Sequence, residues 1–399
     1  MKRLIVVGCS AVALCAAFAE TAPSAGASLT VNQVRQRYPW NGFVDVDYTV
    51  SGVADDVWAE DLHIDFTVHA TTNGVAFSAP ARHFATGLWF EMPARNGSYR
   101  VTWNAPADGF TFPVEEMSMT LTLVEDPVSE YEADYMTVDL SAGKSGSKPV
   151  RFLRAPNLSS EIFNTDAYKT TKLVLKRVPR GEFWMGEGDV SSGTSRHRVR
   201  LTDDFFLGVF QMTEEQYYRI VGSGGSSKKA KSNVNSLTLF GSSNVFTNLC
   251  TTSRWHGRAV TGFSLPTEAQ WEYACRAGTD TKYFFGSDAS LLPSYAVYAQ
   301  GEVGTKLPNP WGFYDQYGNV WDRVYGSLFT YPPYGETEAD VSVDPVYLGL
   351  GIVSRGQPGS SATSGGRGTV NVKNETFFTD TYAHGNNGFR LAKWIDDGK

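Results

Sequence analysis

The chain has 399 residues, 42 acidic and 35 basic side chains, a formal charge of −7 and 42% hydrophobic residues. That length suits two domains, and the acidic balance excludes nucleic acid as a partner, because phosphate demands a basic surface. Four cysteines are too few for a multi-bridge scaffold, so apolar cores must hold the domains together.

Met1-Lys2-Arg3 leads into an apolar run from Leu4 to Phe18, and Ala17-Phe18-Ala19 fits a small-residue cleavage site. Residues 1–19 therefore read as a signal peptide, and the mature chain opening at Glu20 is expected to be secreted or periplasmic. Val7-Gly8-Cys9 loosely resembles a lipobox, which gives a lipid-anchored alternative. Cleavage at Ala19 removes Lys2 and Arg3, leaving a charge of about −9. It also removes Cys9 and Cys15, so only Cys250 and Cys275 stay. No later run reaches the roughly 20 apolar residues of a membrane helix, and no membrane insertion is expected.

Residues 28–126 carry a period of two. Val44, Val46, Tyr48 and Val50 alternate with Asp45, Asp47 and Thr49, and the pattern recurs at Leu62 to Val68, Tyr99 to Trp103 and Met117 to Leu123. Asn96-Gly97 predicts a type I′ hairpin turn between Leu88–Met92 and the strand at Tyr99. Short strands without a helix predict an immunoglobulin-like antiparallel β-sandwich. His63, His69 and His83 show no paired metal-ligand spacing and read as structural or surface residues. Residues 127–171 turn to Ser, Gly, Lys and Pro and read as a linker, with short strands at Tyr135–Leu140 and Val150–Leu153 draped over one domain.

Residues 172–396 are rich in Gly, aromatics and short apolar runs. One helix is predicted at Thr267 to Ala277, capped by Thr267 and ended by Gly278, with Trp271 and Cys275 on one face. Glu214-Glu215 reads as a solvated turn of helix. Five segments follow in order: Leu173 to Gly186 (LVLKRVPRGEFWMG), Phe206 to Tyr217 (FLGVFQMTEEQY), Ser264 to Thr279 (SLPTEAQWEYACRAGT), Leu307 to Val320 (LPNPWGFYDQYGNV) and Gly388-Phe389-Arg390-Leu391. Together they resemble the formylglycine-generating, or sulfatase-modifying factor, family. The resemblance implies an α+β, C-type-lectin-like fold for this half of the chain.

The family's oxidases hold copper(I) through two cysteines, soft ligands that suit the ion. They lie shortly after an RGGSW motif, and the resembling stretch here runs from Arg355 to Gly368. Thr363 and Gly368 stand where the cysteines belong, and no cysteine follows Cys275, so no copper is expected. Cys250 and Cys275 read as a disulfide or as two buried thiols, with a relocated metal site the remote third reading. The histidine-ligated iron of related sulfoxide synthases finds no spaced pair among His197, His256 and His384.

Family members also hold calcium in a GNVWE turn, which implies a site at Gly318, Val320 and Asp322; an Asp that merely caps the turn explains the pattern equally well. By the same resemblance Arg355 to Asn387 lines a binding groove, with Arg355, Arg367, Phe377, Phe378 and Tyr382 as ligand-binding candidates and core packing as the rival role for the phenylalanines. The expected function is a secreted, non-oxidising module of this family that binds a protein or glycan. The alternative is a protein-modifying enzyme of the formylglycine-generating type with altered chemistry.

Overall fold

In the computed structural model, residues 27–37, 41–110, 116–186, 196–223, 245–298, 300–325, 341–345, 352–356 and 387–395 are described. They form two compact units, one up to Val128 and one from Ser129. Antiparallel sheets dominate a mixed, strand-rich architecture.

The first unit contains β1 (Ser28–Gln36), β2 (Phe43–Ser51), β3 (Leu62–Thr72), β4 (Val75–Ala81), β5 (His83–Phe84), β6 (Gly87–Leu88), β7 (Gly97–Asn104) and β8 (Glu116–Glu125). They build a five-stranded sheet in the order β1-β2-β7-β5-β6 and a three-stranded sheet β4-β3-β8. The alternation makes the faces: Val44, Val46, Tyr48, Leu62, Ile64, Phe66, Val68, Met119 and Leu121 are all buried. The two sheets meet through aromatic rings, Tyr48 edge-on to Phe66 at 6.1 Å and Phe66 against Phe84 at 4.7 Å. On the other face Arg100 pairs with Asp47 through two hydrogen bonds of 2.6 and 2.7 Å.

Asn96-Gly97 is not the expected hairpin turn. Residues Trp89–Glu91 form a 3-10 turn instead of a strand, and β7 pairs with β2 and β5. The Asn96 amide is spent on a distant loop: its Oδ1 accepts from the Val53 N–H and its Nδ2 donates to the Val53 carbonyl, both at 2.8 Å. The histidines have local partners. His69 bridges Ser78 and Thr120, and His83 bonds Asp108 at 2.7 Å.

The second unit begins with β9 (Tyr135–Asp139), β10 (Lys148–Leu153), α1 (Asp166–Thr170), β11 (Lys172–Val178), β12 (Gly181–Met185), β13 (His197–Leu201) and β14 (Phe205–Gly208). It continues through α2 (Glu214–Val221), α3 (Val245–Thr252), β15 (Ser253–Trp255), β16 (Arg258–Ala259), β17 (Phe263–Ser264), α4 (Glu268–Arg276) and α5 (Leu292–Tyr295). The described part closes with β18 (Ala296–Val297), β19 (Tyr317–Gly318), β20 (Trp321–Tyr325), β21 (Ser342–Val343), β22 (Ile352–Arg355), β23 (Asn387–Phe389) and β24 (Ala392–Trp394). Its main sheet has eight strands in the order β16-β15-β10-β9-β11-β14-β24-β17.

The stretch read as a linker is part of this sheet. β9 lies between β10 and β11, with Tyr135, Met136 and Val138 fully buried. The short strands expected at Tyr135–Leu140 and Val150–Leu153 are present as β9 and β10, but as members of the main sheet rather than a draped linker. The polar loop before β10 is drawn inward too, because Lys148 is fully buried and its ammonium donates to the Lys144 and Gly146 carbonyls and to Thr252 Oγ1. Burial pushes the Lys148 pKa down to about 8.

α4 matches its sequence signals. Thr267 caps it and exchanges a reciprocal pair of bonds with Gln270, and Ala277 ends it in the left-handed conformation. Trp271 and Cys275 join one apolar cluster with Tyr283, Phe284, Tyr317 and Val324. Glu214 and Glu215 open α2, where Glu215 pairs with Arg219 one turn on. Among the described residues no helix is long and apolar enough to cross a membrane.

Candidate functional site

The motif segments converge on a buried polar centre. Arg390, in the short connection between β23 and β24, is fully buried and uses its whole guanidinium. Nη1 donates to the Gly208 and Val209 carbonyls at 2.9 and 3.0 Å, and Nη2 to the Tyr314 carbonyl at 2.6 Å. Nε faces Asp322 Oδ2 at 3.4 Å, and the Trp271 indole N–H donates to the same oxygen at 2.9 Å. One arginine thus ties β14, the Tyr314 loop and β20 together, while the indole links them to α4.

Burial raises the pKa of Asp322, and the nearby Arg390 guanidinium pulls it back. Asp315 accepts the Gly304 N–H at 2.8 Å, but burial drives its pKa up to about 6. Asp315 Oδ1, Asp322 Oδ1, both polar atoms of the Gln316 side chain and Asn319 Nδ2 are buried without a hydrogen-bond partner.

Two further clamps account for motif residues. Glu272 on α4 pairs with Arg276 and accepts the Gly186 N–H at 2.8 Å, while Arg276 donates to the Gly186 carbonyl at 3.0 Å. The helix thereby fixes Gly186, the residue that follows β12 at the end of the Phe-Trp-Met-Gly segment. Asn309 donates to the Ala274 and Cys275 carbonyls and accepts from the Trp311 and Phe313 N–H groups. It caps the end of α4 with one amide side chain.

The turn expected to hold calcium sits inside this network. Gly318 has φ +89°, and a Cβ there would lie 2.0 Å from the Val297 carbonyl oxygen, so the close pairing of β18 and β19 requires glycine. The Val320 carbonyl accepts from Gln211 Nε2 at 3.0 Å, and Asp322 Oδ2 is committed to Trp271 and Arg390. Calcium takes six to eight oxygen ligands. Here two of the three expected groups are engaged by protein donors, and Arg390 already supplies the positive charge. Asp322 Oδ1, by contrast, has no hydrogen-bond partner, so the turn keeps one uncommitted carboxylate oxygen beside these contacts. Among the described residues no group of three or more His, Cys, Asp or Glu side chains could hold a metal.

Cys250 and Cys275 are both free thiols, which leaves no disulfide between them. Cys275 is fully buried beside Tyr317, and burial pushes its pKa up to about 12. It packs with Trp271, Tyr283 and Tyr317 in one apolar cluster, as a small buried thiol does.

The groove candidates divide. The backbone of Arg355 pairs with Asp322 in the β20–β22 ladder. A Cβ on the adjoining Gly356 would be 3.1 Å from the Gln316 carbonyl oxygen and 3.3 Å from the Trp271 ring, so this segment starts directly against the buried centre. Arg367, Phe377, Phe378 and Tyr382 lie outside the described residues, as do residues 1–19 and the positions Thr363 and Gly368. The structure also contains a feature that sequence reasoning missed, a cleft of about 580 Å³ between the 156–161 segment, Lys176, the end of α5 and the 307–312 loop. Its lining comes from five separated segments, Phe284-Phe285 included, and prolines, serines and asparagines give no period to read.

Residues 160–395 match the family described as "Sulfatase-modifying factor enzyme 1-like domain", more than half of the chain. Over 87 residues the chain is 37% identical to the formylglycine-generating enzyme of Mycobacterium tuberculosis; the match covers 18% of this chain and 27% of that protein. Among solved structures it is similar to variable protein 1 of Treponema denticola, at 22% identity, 56% of this chain, 96% of that chain and a TM-score of 0.45. It is also similar to PvdO from Pseudomonas aeruginosa, at 18% identity, 56% of this chain, 94% of that chain and a TM-score of 0.39.

Proposed function

The chain belongs to the sulfatase-modifying factor enzyme 1-like family, and from that premise we propose that it is a secreted, non-oxidising member that binds a protein or glycan. The observation that carries this reading is the cysteine inventory. Copper(I) oxidation of a substrate thiol needs a pair of thiolates, and no cysteine follows Cys275. Cys275 is fully buried among Trp271, Tyr283 and Tyr317, where packing accounts for it. No catalytic step is derived for the family's copper, because its donors are missing.

What remains of the family pattern is architecture. Arg390, Asp322, Trp271, Glu272, Arg276 and Asn309 are all engaged in fastening segments to one another. A scaffold with its framework kept and its reactive ligands gone serves presentation of loops better than chemistry. In this reading the segment from Arg355 to Asn387 supplies the contact surface, with Arg367, Phe377, Phe378 and Tyr382 as its anchors. The first unit is an immunoglobulin-like sandwich, exported with the second behind a cleaved signal peptide at residues 1–19.

The test is metal analysis of the purified mature protein together with a formylglycine assay on a sulfatase-motif peptide. The reading expects less than a tenth of an equivalent of copper, roughly the adventitious level, and no turnover. One equivalent of copper with turnover sinks it.

A further inference from the structure

The cleft of about 580 Å³ in the second unit has no part in the buried centre or in the proposed contact segment. Its size falls within the range of small-molecule sites, roughly 300–1,000 Å³. Its two ends differ in chemistry.

One end is cationic. Lys176 on β11 is half-buried, with its ammonium over the Tyr135 ring at 5.3 Å. Among the described residues no carboxylate lies within ion-pair distance of it, and burial lowers its pKa from the ordinary lysine value. Asp134, the nearest acidic influence, is spent on the Ala155 N–H at 2.7 Å. Gly312 keeps this end open. Its φ is +88°, and a Cβ there would meet Ser160 Oγ at 2.3 Å and approach Lys176 Nζ to 3.6 Å.

The other end is aromatic. Phe285 lies between Tyr283 and Tyr295 in a near-parallel stack, with centroids at 5.0 and 4.6 Å and interplanar angles of 12° and 10°. Tyr283 is fully buried, so the stack runs from the core outward and ends at the half-buried Tyr295 in the cleft wall. Leu307 adds an exposed apolar edge at 52% exposure. Around the rim Asn157, Ser159 and Glu161 present hydrogen-bonding groups to solvent.

We infer that this cleft binds a singly acidic saccharide, one or two pyranose rings carrying a carboxylate, with the carboxylate on Lys176 and a ring face on Tyr295. A purely apolar ligand would strip water from Asn157, Ser159 and Glu161 without replacing it. A strongly acidic peptide would place further negative charge against Glu161. A uronate meets both constraints: one charge for one lysine, hydroxyls for the polar rim, and a C–H face that packs on a flat ring as aromatic side chains do. The inference concerns a site apart from the Arg355–Asn387 segment, so a copper-dependent turnover would overturn the functional reading and leave this one standing.

The experiment is calorimetric titration of the full mature chain with galacturonic acid and, in parallel, with neutral galactose. Saturable binding of the acid is expected, with the neutral sugar about tenfold weaker or worse, the scale of one lost charge-assisted bond. Lys176→Gln should weaken the acid by a similar factor. Leu307→Glu changes an exposed side chain and keeps the backbone bond from the Leu307 N–H to the Ser294 carbonyl, and by placing a second carboxylate at the cleft it should weaken the acid while leaving the melting temperature unchanged. No saturable binding of the acid, equal affinity for the neutral sugar, tighter binding of a hexaglutamate peptide, or a folded Leu307→Glu protein with wild-type affinity would each overturn the inference.

Discussion

Asp315 offers the sharpest test of the buried centre. Its carboxyl is fully buried, accepts one N–H from Gly304, and has its second oxygen without a partner. Burial raises its pKa from 3.8 to about 6. Because the folded-state pKa is raised, the protonated form is the stable one in the fold; its contribution is whole below 3.8 and is lost as pH climbs through about 6. At about 1.4 kcal/mol per unit, ionised Asp315 costs the folded state on the order of 3 kcal/mol. Asp315→Asn removes the charge and can keep the Gly304 bond, but it puts an amide N–H₂ where the partnerless oxygen was, which offsets about 1–2 kcal/mol. A net gain of about 1–2 kcal/mol corresponds to about 2–8 °C in melting temperature for a unit of this size. Thermal unfolding at pH 8 and at pH 4 reads it directly: the variant should melt higher than the wild type at pH 8 and lose that advantage at pH 4. A variant that melts lower by the same margin at both pH values would show that Asp315 stays ionised and solvated, and the burial argument would fail.

Arg390→Met should destabilise the second unit by about 3–5 kcal/mol, since it strands Asp322 as a buried charge and takes the guanidinium donors from the Gly208, Val209 and Tyr314 carbonyls, of which Val209 keeps the Tyr314 N–H. Adding Asp322→Asn to that background should restore part of the loss, and denaturant titration of the single and double variants measures the coupling. A calcium-dependent rise in melting temperature that Asp322→Ala abolishes would support the cation site at the turn, and equal melting in calcium and chelator would leave Asp322 as a turn-capping residue. In thiol-reactivity kinetics on the native protein Cys250 should modify first, and Cys275 only on unfolding. Equal rates would place Cys275 at the surface.

The sequence was legible wherever one residue type can do one job in its local setting. Thr267, three residues before Gln270, announces a helix start because few other arrangements satisfy the first N–H groups. The alternation through β2, β3 and β8 announces half-buried strands because only a period of two sorts side chains to two faces. It failed where a residue's partner is far along the chain. Asn96 carries the strongest local turn signal in the first unit, yet its amide is taken by Val53, 43 residues earlier. The stretch holding β9 and β10 reads as a linker although both strands lie inside the main sheet, and Lys148 in that polar stretch is closed over by Thr252, 104 residues away. The site followed the same division. The motif segments correctly signalled the family, because their spacing preserves the framework that Arg390 and Asn309 hold together. Asp322 illustrates the limit: its place in the turn says nothing of Arg390, 68 residues later, whose guanidinium faces the same carboxylate at 3.4 Å. The turn sequence reads the same with or without that partner, so the charge balance at Asp322 is set by a residue that no local pattern points to.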